Sequence, residues 1–248
     1  MKKIVLLIGV LVSLTAANVL FGQSKDQGVI TYDVKANLHR NLPANAEGMK
    51  AMIPEYRTSQ IQLFFNSTSS ITKPVIEDEE EDVNAGSGGV VMKFKMPSIE
   101  THFDLGSQII TTKQEFFAKE YLIIDTLKIS AWKFGTDTKT IQGYECKQAY
   151  FTDESNPRRK MEITAWYTEQ IRSNLGPEKY LSLPGTVLAI DINNGERTIV
   201  ANNVKFKELK KNDIKLPTGG EKISSADFKK LMDEQRKKNG GGMMFRMN

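Results

Sequence analysis

The feature that most constrains this chain is a close succession of short segments in which apolar and polar residues alternate. Ile30, Tyr32 and Val34 share one parity near the start, and a later segment ending at Phe65 repeats the pattern. A period of two is typical of half-buried β-strands, whose side chains point alternately to the two faces of a sheet. The pattern predicts strands at Gln27–Leu38, Thr58–Phe65, Ser70–Lys73, Ile99–Leu105, Gln108–Gln114, Glu120–Asp125, Trp132–Phe134, Lys139–Thr152, Lys160–Thr168, Thr186–Ile192 and Arg197–Phe206.

Short turns separate these predicted strands, and only one segment has the clear pattern of a helix. Asn194-Gly195 is a strong hairpin signal, and Gly106-Ser107 is a weaker one. Ser224–Lys238 carries a narrow apolar stripe among charged residues, and Ser224 or Ser225 can cap its start. Because strands follow one another without alternating helices, the sequence predicts a mainly β fold: a curved antiparallel sheet or open barrel with one C-terminal helix.

The N-terminal segment predicts export from the cytoplasm. Lys2 and Lys3 precede an apolar run, Ile4–Leu14, which has the length and the basic flank of a secretion signal. We expect residues 1–22 to be removed as a signal peptide, with cleavage after Gly22. No cysteine lies near that junction, so a lipid anchor is not expected. No later segment is apolar over the length that a membrane-spanning helix needs, so no transmembrane segment is expected after signal removal.

The remainder is expected to form one domain with two less regular parts. Residues 23–220 are interpreted as a single antiparallel β domain, interrupted near residues 74–90 by a mobile acidic loop with six consecutive acids from Glu77 to Asp82. Residues 221–248 are interpreted as the charged helix and a flexible tail rich in Gly and Met. Loss of the two signal-peptide lysines lowers the formal charge from +4 to +2, so the charge does not indicate nucleic-acid binding.

The residue types that usually carry catalysis or bind metals are scarce. His39 and His102 are the only histidines, and Cys146 is the only cysteine. The sequence contains no zinc-ligand spacing, nucleophile elbow or phosphate-binding loop. No catalytic residue, metal site or cofactor is therefore predicted, and the protein is expected not to be an enzyme. We expect Cys146 to be a small buried hydrophobe rather than a reactive thiol.

Aromatic residues supply material for a binding surface. Trp132, Phe103 and Tyr150 are candidates to line an apolar cavity beneath a curved sheet. The same residues can instead fill a closed core, because cores and ligand pockets have similar compositions. The sequence leaves both interpretations open.

Three motifs in the central part of the chain carry a resemblance to a known family. Gly143-Tyr144-Glu145-Cys146 is similar to a G-Y-x-C strand, and Trp166-Tyr167 belongs to a segment similar to an A-W-Y-T strand. Leu183-Pro184-Gly185 stands where the family has its eponymous motif, although the flanking residues depart from it. On these residues the chain resembles the GLPGLI family of exported Bacteroidota proteins. We interpret Leu183-Pro184-Gly185 as a structural turn in which Leu anchors, Pro fixes φ and Gly permits a tight or positive-φ step.

The resemblance implies an envelope protein, most simply periplasmic and otherwise extracellular or surface-associated, in a family without a settled activity. The order of the elements is also similar, more weakly, to LolA-type lipoprotein carriers, whose curved sheet covers an apolar cavity. Together they imply a non-enzymatic protein that binds an apolar small molecule, such as a lipid or acyl chain, or an envelope protein. Two alternatives remain: a structural or interaction protein without a cavity, and Cu(I) binding through the thioethers of Met243, Met244 and Met247.

Overall fold

The structure is a computed structural model that describes residues 26–42, 47–51, 53–75, 98–155 and 159–238. Within these ranges the helices are α1 (Glu47–Lys50), α2 (Ser225–Lys238) and a 3-10 helix (His39–Asn41). The strands are β1 (Gly28–Asn37), β2 (Tyr56–Phe65), β3 (Ser69–Pro74), β4 (Ile99–Asp104), β5 (Ile109–Phe116), β6 (Lys119–Thr126), β7 (Lys133–Ile141), β8 (Tyr144–Asp153), β9 (Met161–Thr168), β10 (Thr186–Ile192), β11 (Arg197–Phe206) and β12 (Glu221–Ser224).

The strands form one twelve-stranded sheet with the order β12-β6-β5-β4-β3-β2-β1-β11-β10-β9-β8-β7. Neighbouring strands pair antiparallel, except that β12 pairs parallel with β6. The prediction of a mainly β fold, built on an open antiparallel sheet with a C-terminal helix, is confirmed.

The sheet curls without closing, as the connection between β6 and β7 requires. In a flat sheet these two strands would lie ten spacings apart, which is about 48 Å. Residues 127–132 alone join them, and an extended chain of that length reaches about 25 Å at most. The two ends of the sheet therefore approach each other, and residues 127–132 cross the gap between them.

Two neighbouring strands were predicted with the wrong bounds. The expected strand Lys139–Thr152 is interrupted at Gln142-Gly143, which turns the chain from β7 into β8. Both turn residues have positive φ, 51° at Gln142 and 80° at Gly143, and a two-residue hairpin of this kind favours glycine. The expected strand Trp132–Phe134 is accordingly the start of β7 rather than a separate strand, and the short β12 was not predicted.

The Asn194-Gly195 hairpin is confirmed. Asn193 and Asn194 both have φ 51°, and Gly195 has φ 86°, so three successive residues lie in the left-handed region that Asn and Gly tolerate best. The Asp191 carboxylate accepts a hydrogen bond from the Gly195 N–H at 2.6 Å. The turn thereby connects β10 and β11 as predicted.

The main core lies on one face of the sheet, which we call the inner face and which carries Tyr32. Residues 169–185, the connection from β9 to β10, pack onto this face, and we call them the plug. The sheet residues of the core lie in β1, β2 and β7–β11, and the plug adds Ile171, Leu175, Tyr180 and Leu183. Burial of each such apolar side chain contributes about 1.5–3 kcal/mol.

The opposite, outer face is crossed by residues 207–220, which connect β11 to β12. These strands lie seven positions apart in the sheet, so the connection must run over the strands between them. Thr72 on β3 pairs with the core residue Leu63 and so lies on the inner face. Lys73 follows it along the strand and therefore points outward. Its Nζ donates to the carbonyl oxygen of Asp213 at 3.1 Å, which places the crossing segment on the outer face.

Helix α2 docks at the β5–β6 end of the sheet, away from the main core. The ring of Phe228 contacts the rings of Phe116 and Tyr121, at 5.6 and 5.3 Å between centroids. Ser224 caps the helix, since its Oγ accepts a hydrogen bond from the Asp227 N–H at 3.1 Å. The Lys229 ammonium donates to the carbonyl oxygen of Ser155, beyond β8, so the helix also reaches towards the other end of the curled sheet.

Several sequence-based expectations lie outside the described residues. These are the signal peptide (residues 1–22), most of the acidic loop (residues 76–97 are not described) and the tail with Met243, Met244 and Met247. Within the described ranges, no helix combines the length and the hydrophobicity needed to cross a membrane.

Candidate functional site

The Leu183-Pro184-Gly185 motif ends the plug and aims the chain into β10. Leu183 is 2% exposed and anchors the plug on the inner face, whereas Pro184 is exposed. A Cβ at Gly185 would lie 2.2 Å from the carbonyl oxygen of Thr168, so only glycine allows the two backbones to approach this closely. The predicted tight step therefore rests on this close approach, because the φ of Gly185 lies outside the positive region.

The plug is a long loop between β9 and β10 that is stabilised by its own internal contacts. The Asn174 side-chain amide donates to the carbonyl oxygen of Leu181 at 3.1 Å and ties its two limbs together. A Cβ at Gly176 would meet the carbonyl oxygen of Tyr180 at 2.1 Å, so this glycine also serves a close backbone approach. Leu175 is fully buried, and its carbonyl accepts from the Val187 N–H at 2.8 Å.

Charged side chains fasten the plug at the end where β8 finishes and β11 begins. Arg197 forms a two-pronged ion pair with Glu178, one prong of which is 3.0 Å long. Burial alone would lower the pKa of the Arg197 guanidinium. The hydrogen bond and charge of Glu178 outweigh this effect, so the pKa is raised. Lys179 donates to Asp153 at 3.1 Å. Burial raises the pKa of the Asp153 carboxyl, but hydrogen bonds from Ser155 and the charge of Lys179 bring it below its usual value.

A buried hydrogen bond holds the plug's exit strand to β1. The Tyr32 hydroxyl donates to the carbonyl oxygen of Val187 at 2.8 Å, and burial raises the pKa of the Tyr32 phenol. This phenol therefore remains a neutral donor at physiological pH, in agreement with a structural role.

The other motif residues also serve the scaffold. Gly143 forms the β7–β8 turn, and Tyr144 packs beside it against the core. Burial raises the pKa of the Cys146 thiol to about 11, so it is protonated at neutral pH and poorly suited to act as a nucleophile. Tyr167 points into the inner face, whereas Trp166 points outward beneath the Lys139 ammonium, 4.2 Å from its ring centroid.

The three aromatic residues proposed to line a cavity do not share one face. Phe103 is 1% exposed on β4. Trp132 precedes β7 and stacks edge-on against Phe151, with 4.5 Å between ring centroids. Tyr150 alternates with Phe151 along β8, so it points to the opposite face, where it is 43% exposed.

An exposed apolar strip lies where the two ends of the sheet approach. Ile129 and Phe134 are 84% and 59% exposed, Trp132 between them is half-buried, and Pro184 is exposed. We call these four residues the seam. Scattered exposed apolar residues are ordinary, whereas exposed apolar residues gathered in one region are typical of interaction surfaces.

Hydrogen bonds to the plug and a ring contact with β9 support the aromatic residues of the seam. Ser182 Oγ accepts hydrogen bonds from the Trp132 indole N–H at 3.0 Å and from the Ser130 backbone N–H at 3.4 Å. The Phe134 ring contacts the buried Tyr167 ring, with 6.1 Å between centroids. The plug therefore fixes the Trp132 side chain, and Tyr167 of β9 supports that of Phe134.

The seam adjoins an open strand edge. β7 is the last strand of the sheet order. Within the described parts of the chain, no strand pairs with the edge of β7 that faces away from β8. Its residues from Lys133 to Thr140 are largely exposed. An unpaired edge beside exposed apolar side chains is the arrangement that accepts an added strand from another chain.

The histidines take ordinary positions. The His39 Nε2–H donates to the carbonyl oxygen of Ile53 at 2.7 Å. His102 lies on β4, where burial lowers the pKa of its imidazole. Among the described residues, no group of three or more His, Cys, Asp or Glu side chains is placed to hold a metal ion.

Sequence reasoning missed Ile129 and Phe134 as site residues, together with the charged anchors of the plug. The available signal was an isolated apolar residue, Ile129, between the polar residues Lys128 and Ser130. The seam itself depends on the approach of two ends of the sheet that are ten positions apart, which no local pattern encodes.

A family model described as "Protein of unknown function (Porph_ging)" matches residues 152–189. This span contains β9, the plug and the start of β10, and with them the Trp166-Tyr167 and Leu183-Pro184-Gly185 motifs. The match is consistent with the resemblance to the GLPGLI family. No curated protein matches the chain.

Solved structures of PNGF-II have a similar fold. The structure in the P21 space group shares 17% identity over 85% of this chain and 34% of that chain, with a TM-score of 0.54. The structure in the C2 space group shares 18% identity over 85% of this chain and 33% of that chain, with a TM-score of 0.55. This chain thus spans about a third of the length of those proteins, and the likeness concerns the fold alone.

Proposed function

We propose that this chain is an exported, non-enzymatic envelope protein that binds another protein through its seam. Export to the periplasm is supported by the basic residues Lys2 and Lys3 followed by the apolar run Ile4–Leu14. A binding rather than catalytic role is supported by the protonated state of Cys146 and the structural hydrogen bond of His39.

The observation that carries this proposal is the exposure of Ile129 and Phe134, at 84% and 59%, on either side of the anchored Trp132. Binding hot spots are typically aromatic side chains that are fixed before the partner arrives, because a fixed side chain loses little entropy on binding. The Trp132–Ser182 hydrogen bond provides that fixation. The adjacent β7 edge offers backbone groups for an extended partner segment.

A protein partner fits this geometry better than an enclosed acyl chain. Leu175 and Leu183 of the plug are at most 2% exposed and belong to the main core, so they occupy the inner face where a carrier would hold its ligand. The seam is a strip rather than an enclosed pocket, and an extended peptide can pair with β7 while placing apolar side chains against Phe134. An apolar small molecule on the same strip is the competing outcome of the experiment below.

The experiment compares envelope proteins captured by the purified residues 23–248 and by seam variants, after photo-crosslinking and mass spectrometry. We expect the wild type to retain a protein whose capture falls roughly 10-fold or more in Phe134→Ser and Ile129→Ser, as loss of a hot spot predicts. Phe117→Ser is the matched control, because Phe117 is 50% exposed on the distant β5–β6 turn. Circular dichroism verifies that each variant is folded.

Two results would contradict the proposal. Equal capture by the wild type and both seam variants would remove the seam from the interaction. A lipid retained in native mass spectra of the wild type, and lost from Phe134→Ser without any seam-dependent protein, would favour the apolar small molecule instead.

A further inference from the structure

Arg172, the fourth residue of the plug, is a partly buried cation that no carboxylate of the described residues pairs with. Its Nη1 donates to the carbonyl oxygen of Ser173 and its Nη2 to that of Ser69, both at 3.2 Å. Its Nε–H is buried and finds no hydrogen-bond acceptor in the described parts of the chain. A guanidinium has five N–H donors, so two carbonyl oxygens leave most of its capacity unused.

Other arginines of the chain show how this position differs. Arg197 is matched by Glu178 and Arg159 by Glu196. Arg40, like Arg172, donates to two backbone carbonyls, those of Asn193 and Asn194, but it is exposed and water satisfies its remaining donors. Arg172 alone of these four combines burial with an unsatisfied donor, and burial lowers the pKa of its guanidinium to about 10.

The neighbouring carboxylate does not serve Arg172. Asp104 lies across from Ser69 in the β3–β4 pair, but its Oδ1 accepts from the backbone N–H and hydroxyl of Ser107, at 2.8 and 2.7 Å. Leaving a buried donor unpaired is costly, and leaving a buried charge unpaired is costlier still. A ligand that supplies two acceptor oxygens would remove this cost.

We propose that Arg172 is an anion-binding residue that takes a carboxylate or phosphate group through its Nε and an Nη. Planar two-oxygen anions match this fork of the guanidinium and form two parallel charge-assisted hydrogen bonds. Arg172 is itself only partly buried, and the adjoining Ser173 is exposed. This site is separate from the seam, and its occupation does not depend on the partner proposed there.

The test measures the melting temperature of residues 23–248 during titration with sodium phosphate, acetate and decanoate, at constant ionic strength maintained with chloride. We expect a saturable rise with phosphate or acetate that is weakened roughly 10-fold or more in Arg172→Met, because the charge-assisted pair is lost. Arg172→Lys, which keeps the charge but not the fork, should show an intermediate loss. Arg40→Met is the matched control and should behave as the wild type does.

The arms of the titration distinguish the sources of the anion. Decanoate roughly 10-fold stronger than acetate would identify the head group of an amphiphile, since the added methylenes contribute only if they are buried, and equal potency would identify a free anion. No saturable shift with any anion would overturn the proposal, as would equal shifts in the wild type and Arg172→Met. If Arg172→Met does not fold, equilibrium dialysis measures phosphate binding to the wild type and to Arg172→Lys. One binding site per chain in the wild type, with weaker binding in Arg172→Lys, would support the proposal. The absence of a binding site in the wild type would refute it.

Discussion

The two ends of the curled sheet are stabilised in different ways. At one end, β1, β2 and β7–β11 bury a continuous apolar core beneath the plug, and we call this the plugged half. The other end consists of β3–β6 and β12, and we call this the helix half. Helix α2 docks there on β5 and β6 through a small aromatic contact centred on Phe228. The family model matches residues 152–189, which lie entirely in the plugged half. The matched segment therefore contributes to the scaffold of the plugged half. The seam lies at the border of that half, and the scaffold supports its exposed apolar side chains.

The largest effect is expected from opening a cavity under the plug. Leu175 is fully buried, so Leu175→Ala should lower the free energy of unfolding by about 3 kcal/mol. Phe228→Ala removes a larger side chain, but α2 docks at the edge of the sheet and can detach locally. Its cost should therefore be limited to the docking free energy of the helix, about 1–2 kcal/mol. Urea unfolding of both variants measures the two losses.

Cys146 provides an independent probe of the same comparison. Its pKa of about 11 and its burial both slow thiol labelling at about pH 8, because the thiolate is rare and enclosed. Leu175→Ala should raise the labelling rate of the folded protein, whereas Phe228→Ala should leave it unchanged.

The urea unfolding experiment can reverse this comparison. A larger loss of unfolding free energy in Phe228→Ala than in Leu175→Ala would show that the helix half, not the plugged half, holds the fold together.

The next largest effect concerns the ion pair that fastens the plug. Glu178 and Arg197 are 28% and 29% exposed, so the loss lies between those of buried and surface pairs. Glu178→Gln should cost about 1–2 kcal/mol, because the Arg197 guanidinium keeps its burial but loses the carboxylate that raises its pKa. The control is Glu169→Gln, which removes the exposed pair with Lys147 and should cost less than about 0.5 kcal/mol. Equal losses in the two variants would mean that Glu178 does not fasten the plug.

The comparison also shows which parts of the molecule a sequence can predict. Strand positions follow from local alternation, and α2 follows from its apolar stripe and the capping Ser224, so both were predicted well. The break at Gln142-Gly143 was missed because Gln-Gly is a weaker turn signal than Asn-Gly. Residues 169–185 contain little regular structure, and their place on the inner face depends on partners far away in sequence, such as Ser69 for Arg172. The seam was unpredictable for the same reason.

The smallest expected effect is in the helix half, at the start of α2. Ser224 caps the helix and donates its hydroxyl hydrogen to the Asp227 carboxylate at 2.7 Å. Ser224→Ala should cost about 1 kcal/mol, seen as faster amide hydrogen exchange in the first turns of α2 and not in β10. The control is Ser173→Ala, which changes an exposed serine of the plug and should leave exchange in α2 as it is in the wild type.

The same helix start should be sensitive to acid. The hydrogen bond from Ser224, with help from Lys230, lowers the pKa of the Asp227 carboxyl from 3.8. Ser225 and Lys128 likewise lower the pKa of Asp125. A carboxyl whose pKa is lower in the folded state stabilises that state above its unfolded pKa, and this stabilisation disappears as the pH falls through the folded pKa. Amide exchange in α2 should therefore accelerate as the pH drops below about 4, after correction for intrinsic exchange rates. Asp227→Asn should flatten this pH dependence, and an unchanged profile would exclude the Ser224–Asp227 contact as its source.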